Sequence, residues 1–524
     1  MRRFIVIALS VCGLLAASAS VASARVLLVG NYHGIHGKYK TLQAAVNAAK
    51  RGDWILVGPG DYKTTKSRTP RGRPDLTAAV LVTQKGLHIR GMNRNTVIID
   101  GTRKGAACNS KTGNQNFGPK SKQGPMGLNG ILVYKADNVS VENLTACNFL
   151  GGSGDAGNEV WWNGGDNTAT IGGWGYYGAY LNATSTFYNG DEKTAAKYGI
   201  FSSDWSGGTW SQDYASNFND SGFYVGACQQ VCNQTLSQVW SEYSSLGYSG
   251  SNSGGVMVIK DSQFDNNKDG FDTNSQNGDN PPPQDGSCPH GGISPITHTT
   301  SCWVFMHNNV HDNNNPNVPA AGLSAEGPVG TGMSVSGGRN DTIMNNTFTR
   351  NNAWGMILVP FTDSGPPCTG GTVGFLGPGS CLYDEWGDAV LNNTFIDNGS
   401  FGHPSNGDIG FINLESGHPT SCFRGNHEQN GGSVKPTGDV LLQTTHPNCD
   451  GTPGVAGSSS DPQFLTEVLC NAQVSLGAGP PSCPNGDYPR FTQAVMHPLP
   501  TKQLKTMANP CAGVPKNAWC SKRK

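Results

Sequence analysis

One recurring motif restricts the fold more than any other feature of the chain. A glycine is followed by a large residue, with another residue pointing the same way two positions later. It occurs as Gly178-Ala179-Tyr180-Leu181, Gly199-Ile200-Phe201, Gly222-Phe223-Tyr224-Val225, Gly247-Tyr248 and Gly270-Phe271, in steps of 21, 23, 25 and 23 residues. The series resumes at Gly332-Met333-Ser334-Val335 and Gly355-Met356-Ile357-Leu358. Gly130-Ile131-Leu132-Val133 and Gly410-Phe411-Ile412 extend it at both ends. The larger gaps coincide with insertions around Pro281–Pro283 and Cys368–Cys381. Self-similarity at such a period implies a stack of small units, each burying its apolar side against its neighbours.

A second series runs out of phase with the first. It reads apolar-x-(Asn/Asp/His)-polar-x-apolar-x-x-Asn and spans Ile259–Asn267, Phe305–Asn313, Ile343–Asn351 and Val390–Asn398. Its inner apolar members, Phe264, Val310, Phe348 and Phe395, each precede the final Asn by three residues. An Asn at one fixed place per coil predicts a ladder of stacked amides in a parallel β core. Asp261, His307, Asn345 and Asn392 share another slot and are also read as ladder positions. This is why the i, i+4 pair His307 and His311 is not taken as a metal site. The abundant glycine (72 residues) is then repeat architecture and not disorder.

The N-terminal end carries its own signature. Thr41 precedes Leu42-Gln43-Ala44-Ala45-Val46-Asn47-Ala48-Ala49, with Leu42, Ala45, Val46 and Ala49 on one helical face. Gly52 stops the helix, and a strand over Asp53–Val57 and a turn over Gly58–Tyr62 follow. A solenoid exposes the open end of its core, which an amphipathic helix can plug. This stretch and the Asn-Asn-Thr-Phe-x-x-Asn coils closely resemble the pectin-lyase-like right-handed parallel β-helix superfamily, over roughly residues 30 to 430. The resemblance implies an all-β fold: a single right-handed parallel β-helix with an N-terminal capping helix and a disulfide-rich C-terminal cap. It does not imply one chemistry, because that superfamily holds lyases, hydrolases, epimerases, adhesins and metal-maturation proteins. The expected organisation is a signal peptide at 1–24, an N-terminal cap at 25–62, the β-helix at 63–430 and the C-terminal cap at 431–524.

The signal reading rests on Arg2 and Arg3, the apolar run Phe4–Ala17, and Ala22-Ser23-Ala24 as a cleavage signature. A secreted, extracellular protein is expected. Of the 15 cysteines, 14 then remain, an even count that reads as disulfides. Cys228/Cys232, Cys368/Cys381, Cys470/Cys483 and Cys511/Cys520 are close enough for local clips. The mature charge of −3 counts against nucleic-acid and membrane-surface partners. No later segment has the roughly 20 apolar residues of a membrane span. A monomer is expected.

Strand alternation places the residue two after each repeat glycine on the outside. That column reads Tyr180, Phe201, Tyr224, Ser249, Asp272, Ser334. Tyr176, Tyr177, Tyr198 and Trp354 flank it, Trp161 and Trp162 lie upstream, and Trp174, Trp205 and Trp210 are nearby. Exposed aromatics aligned along a stack suit sugar rings, which makes Tyr180, Tyr198, Phe201, Tyr224 and Trp162 the candidate substrate-binding residues. The competing reading is that these rings pack under loops and cover one another. Asp220, Asp269 and Asp272 are the candidate catalytic acids, with Glu242 less directly placed. Asp220-Ser221-Gly222 and Lys268-Asp269-Gly270 occupy equivalent places two coils apart. That is about 10 Å, close to the carboxylate separation of an inverting glycosidase. Lys268 is a candidate base, or a partner for a uronate. Against all of these stands the ordinary role of Asp before Gly as a turn residue.

Asp269-Gly-Phe-Asp272-Thr-Asn274 is similar in part to the Asp-Gly turns of polygalacturonases and to the Tyr-Gly-Phe-Asp-Pro-His of alginate epimerases. Only Gly270, Phe271 and Asp272 match the latter, and no Gly-His-Gly is present. Calcium is the one candidate cofactor, among Asp261, Asp265, Asp269 and Asp272. Three functions compete: a polysaccharide-active lyase, hydrolase or epimerase; a non-catalytic protein adhering to a cell-surface glycan; and a metal-maturation β-helix of the NosD type. The first two share one partner class, a polysaccharide.

Overall fold

A computed structural model describes residues 24–521, apart from residues 65, 166–167, 169, 279–280, 320–326, 376, 436–440, 458–462, 476–482 and 484–487. The expected signal peptide lies outside the described residues except for its last position. Successive coils contribute short strands to three long sheets of 10, 12 and 11 strands, each with its strands in chain order. Neighbouring strands of these sheets pair in parallel, as in Asp269–Asn274 with Leu246–Ser251 on one side and Thr331–Ser336 on the other. The architecture is the predicted one: an all-β parallel β-helix around one continuous apolar core from Leu27 to Leu442.

The two sequence series meet inside this core. Strand register skips the repeat glycine: Leu246 pairs with Asp269, then Tyr248 with Phe271. The strand bends there, so the glycine and the residue after it both face inward. A Cβ on Gly270 would come within 2.6 Å of the Asn313 amide nitrogen, and one on Gly332 within 2.7 Å of that of Asn351. The glycines therefore make room for the Asn ladder. That ladder is continuous: Asn267, Asn313 and Asn351 each donate from the side-chain amide to the next member's oxygen, at 3.1, 3.1 and 3.2 Å, ending on Asn398. A parallel ladder runs through Asn346, Asn393 and Asn426. Asp261, His307, Asn345 and Asn392 are not its members, contrary to expectation. They occupy the left-handed turn position one residue earlier, with φ of 54–57°.

Both ends of the stack are closed by side-chain amides. In the helix α1 (Leu42–Ala48), Leu42, Ala45 and Val46 plug the core. Gln43 donates to the Leu81 carbonyl and accepts from the Leu81 N–H, covering the first strand of the ten-stranded sheet where it would otherwise offer an open edge. At the other end Gln443, in α2 (Leu442–Thr445), accepts from Asn426 and donates back to it, terminating the second ladder. Seven disulfides join Cys108–Cys147, Cys228–Cys232, Cys288–Cys302, Cys368–Cys381, Cys422–Cys449, Cys470–Cys483 and Cys511–Cys520. The four expected local clips are all among them.

Beyond α2 the chain turns back over the solenoid. Phe464 of α3 (Phe464–Ser475) packs edge-on against Trp354, on the outer face of the ten-stranded sheet. The tail then runs toward the N-terminal end, touching coil after coil. The Val495 N–H donates to the Asn317 carbonyl, and His497 stacks on Tyr243. Arg94 donates to the Lys505 carbonyl, Arg90 to that of Ala512, and the Trp519 indole to that of Ile35. No membrane-length apolar helix occurs among the described residues.

Candidate functional site

The outer face of the ten-stranded sheet carries a column that runs, in register, Leu132, Trp161, Phe201, Tyr224, Ser249, Asp272, Ser334, Ile357. Five of the six residues assigned to the outward column are there. Tyr180 is not: it follows the Tyr176–Ala179 strand of the twelve-stranded sheet, and Gly178 pairs with Trp210 and not with Gly199. Gly410 is likewise displaced, since Asp408 stands opposite Gly355. Trp162 must also be withdrawn as a binding residue. It points into the core, fully buried, stacked on Tyr176 with its indole N–H on the Val139 carbonyl. Trp205 and Trp210 are buried core residues as well.

A cavity of about 390 Å³ opens on this face. Asp220, Asp269, Asp272, Tyr198 and Tyr224 all line it, so the expected acids and two of the expected aromatics are brought together. Phe201 lies beneath, 5% exposed, sandwiched between Trp161 at 4.7 Å and Tyr224 at 4.8 Å. The aromatics thus cover one another to a large extent, and what reaches the cavity is the edge of Tyr224 and the half-buried Tyr198. The Pro281–Pro283 insertion is not part of the lining. The walls are Gly327 and Pro328, Ile357, Val359 and Phe361, and Val468 from α3.

Asp269 and Asp272 project from one strand because the glycine bend puts Gly270 and Phe271 inside between them. Their surroundings differ. Asp272 accepts from Ser334 Oγ at 2.5 Å, Asn274 Nδ2 at 2.5 Å and Ser336 Oγ at 3.2 Å. Burial raises its carboxyl above the ordinary range, and these three donors hold the rise back. The Asp269 carboxyl accepts no hydrogen bond from a side chain among the described residues, and has only the backbone N–H groups of Gly270 and Phe271 beside it. Burial, and then the charge of Asp272, push it well above the carboxylate range, against the charge of Lys268 and the backbone N–H groups of Phe271 and Gly270. Asp220 is pushed up to about 6 by burial, against a hydrogen bond from Tyr198 and the charge of Lys197. Lys268 is buried under the strand, next to Asp269 and outside the lining. Ser336 and Asn274 were missed from sequence; they are the next outward positions after Ser334 and Asp272, and the same alternation would have found them.

Glu242 lies on the eleven-stranded sheet, where it accepts from the Tyr214 hydroxyl at 2.7 Å, and takes no part in the cavity. The calcium set is also scattered. Asp261 is in an exposed turn, and Asp265 sits on the eleven-stranded sheet bonded to the Trp240 indole. Only Asp269 and Asp272 are on the cavity face. No cluster of metal-ligating side chains occurs among the described residues.

Fold and site together define a parallel β-helix with an acidic cavity on one sheet. No protein-family model matches the chain, and neither does any curated protein sequence. Among solved structures it is similar to the A-module of the mannuronan C-5 epimerase AlgE4 of Azotobacter vinelandii, at 13% identity over 76% of this chain and 90% of that one, TM-score 0.39. Pectate lyase Pel9A gives 13% identity over 81% and 85%, TM-score 0.37. Pectin methylesterase PemA from Erwinia chrysanthemi gives 12% over 70% and 89%, TM-score 0.28. At these values the likenesses carry no argument about chemistry, and the fold rests on the three parallel sheets themselves.

Proposed function

We propose that the cavity binds a unit of a polysaccharide and cleaves its glycosidic bond with two carboxyl groups of opposite protonation. The observation that carries this reading is the contrast between Asp269 and Asp272. Two carboxyls whose surroundings push their titrations apart are suited to act as acid and base. Asp269, desolvated and without a side-chain donor among the described residues, is the proton donor to the leaving glycosidic oxygen. Asp272, held by three donors, is the carboxylate that takes the proton from an attacking water, whose hydroxyl joins the anomeric carbon. Asp220 and Tyr198 close the same floor, and the Tyr224 edge gives the sugar an apolar contact.

The lining holds three carboxyls and no Lys or Arg among the described residues. A uronate would be repelled there, so the sugar at the cleavage point is uncharged. The test is a reducing-end assay of the mature protein on neutral glucans, xylan and galactan beside polygalacturonate and alginate. Reducing ends from a neutral polymer, lost in Asp269→Asn and Asp272→Asn, support the proposal. Binding of a polymer with no reducing ends from any of them would leave the adhesive alternative in its place.

A further inference from the structure

The overall charge conceals a strong separation along the solenoid. Residues 25–122 hold 18 Lys and Arg against 4 Asp and no Glu, whereas residues 123–524 hold 16 against 33 acids. Part of this cationic excess is gathered around two neighbouring cavities beside the first strands. One, of about 460 Å³, is lined by Lys40, Lys63, Lys66 and Arg68 together with the Thr41 and Thr64 residues. The other, of about 630 Å³, is lined by Lys66, Arg103 and Asn116, so Lys66 belongs to both.

How these cations are held matters more than their number. Lys63 is neutralised, bonded to Asp100 at 2.5 Å and to Asp61 at 2.9 Å. Arg68 and Arg103 are fixed by uncharged oxygens instead. The Arg68 guanidinium donates to the Ala79 carbonyl at 3.2 Å, and that of Arg103 to the Asn116 amide oxygen at 3.1 and 3.2 Å. A neutral acceptor orients a guanidinium without cancelling its charge, and leaves the rest of its N–H fork for a ligand. Lys40 and Lys66 are exposed at the rims and make no ion pair among the described residues. Two oriented guanidiniums with mobile ammonium groups around concave walls suit carboxylate or sulfate groups spaced along a chain.

We propose that the N-terminal coils form a second binding site, for an anionic polysaccharide, in the paired cavities that share Lys66. The site is independent of the acidic cavity and stands whether or not that cavity is catalytic. A lipid surface is disfavoured by the shape, because the cations line concavities.

The experiment uses the mature chain on immobilised polygalacturonate, dextran sulfate and neutral dextran, with anionic phosphatidylglycerol vesicles as a fourth arm. Retention by the first two, absent on neutral dextran and falling steeply with added salt, is expected. Lys40→Glu with Lys66→Glu should weaken it roughly tenfold or more. Arg424→Glu with Lys435→Glu, which makes the same charge change at exposed positions near the far end of the helix, should not. Equal loss in the Arg424 and Lys435 double variant reduces the effect to net charge and overturns the site, as does binding to the vesicles alone or to none of the four. Asp272→Asn should leave this retention unchanged, which separates its failure from failure of the catalytic reading.

Discussion

The first coils and the middle coils share one backbone geometry and differ in what they do with charge. Around Arg68 and Arg103, cations are positioned by neutral oxygens and left uncompensated. Around Asp269 and Asp272, carboxyls face an apolar wall with no cation in the lining among the described residues. Six coil steps separate the first strand of the ten-stranded sheet from the one carrying Asp272, about 29 Å at the spacing of hydrogen-bonded strands. A solenoid allows this because each coil packs mainly on its neighbours, so a surface set at one coil costs nothing several coils away. The lesson is that the uniform core fixes where side chains point while leaving each coil free to choose its own outer chemistry.

The sharpest way to break the comparison is to remove charge from the middle coils alone. Asp272→Asn keeps the shape of the side chain and two of its neighbours' hydrogen-bonding options, but cannot accept a proton. Turnover should fall by about 10²–10⁴-fold, the usual worth of a positioned base. Affinity for the uncleaved polymer should change little, and the thermal midpoint should hold or rise, since a buried charge is lost. A variant with unchanged turnover would remove Asp272 from the chemistry and leave the cavity as a binding surface.

A second difference between the regions is structural, and its expected effect is smaller. The Asn ladder belongs to the later coils. At Gly199 a Cβ would meet Phe218, where at Gly332 it would meet Asn351. Asn351 accepts from Asn313 and donates to Asn398 and to the Val310 carbonyl, all of them buried. Replacing it with Ala leaves donors and acceptors stranded on both sides and should cost about 1–3 kcal/mol. Chemical denaturation checks this, with an unchanged midpoint as the contrary outcome. The corresponding change at Phe218 would lose packing and no ladder bond.

Much of the site was legible because it follows from alternation. Once the glycine repeat was recognised, Phe201, Tyr224, Ser249, Asp272 and Ser334 fell on one face, with Asp269 at the start of the same strand as Asp272 and Asp220 on the adjoining turn. Trp162 shows how little separates success from error: neighbouring residues of a strand face opposite ways, so Trp161 is outside and Trp162 inside. Tyr180 was misplaced because Gly178 lies 21 residues before Gly199, close enough to the true period to pass for a coil, although it sits on a different sheet. The return of the tail left no trace in the sequence. Its contacts are Arg90, Arg94 and Trp519 reaching backbone carbonyls, and any residue supplies a carbonyl. The charge separation was hidden by averaging, since +14 and −17 leave a total that suggests nothing.

The smallest expected effect concerns pH, and it too divides the molecule. In the middle and late coils burial raises carboxyls: Asp220 and Asp384 to about 6, Asp213 and Glu242 to about 7. A carboxyl raised in the folded state contributes stability that is fully present below its unfolded pKa and is lost as pH rises through the folded value. Between about pH 4 and pH 7 these coils therefore lose stability as the solution becomes more alkaline. In the first coils the balance is reversed. Asp75 is lowered by its hydrogen bonds from Arg73, and Asp53, in spite of burial, by those from Arg25 and the Lys50 amide. Lowered carboxyls contribute stability above the unfolded pKa, and that stability fades only in more acidic solution, as pH falls through the folded value; Asp61, raised by burial, is the exception. Hydrogen exchange corrected for its intrinsic pH dependence should then show the strands around Asp213, Asp220 and Glu242 better protected near pH 5 than near pH 8. The strands around Trp54 and His88 should gain no protection, because burial lowers the His88 imidazole and charging it in acid costs stability, while the overall thermal midpoint should be higher at the acidic value. A midpoint that falls between pH 8 and pH 5 would mean that these carboxyls are ionised and compensated in the fold. The contrast between the two regions would then lie in their surfaces alone.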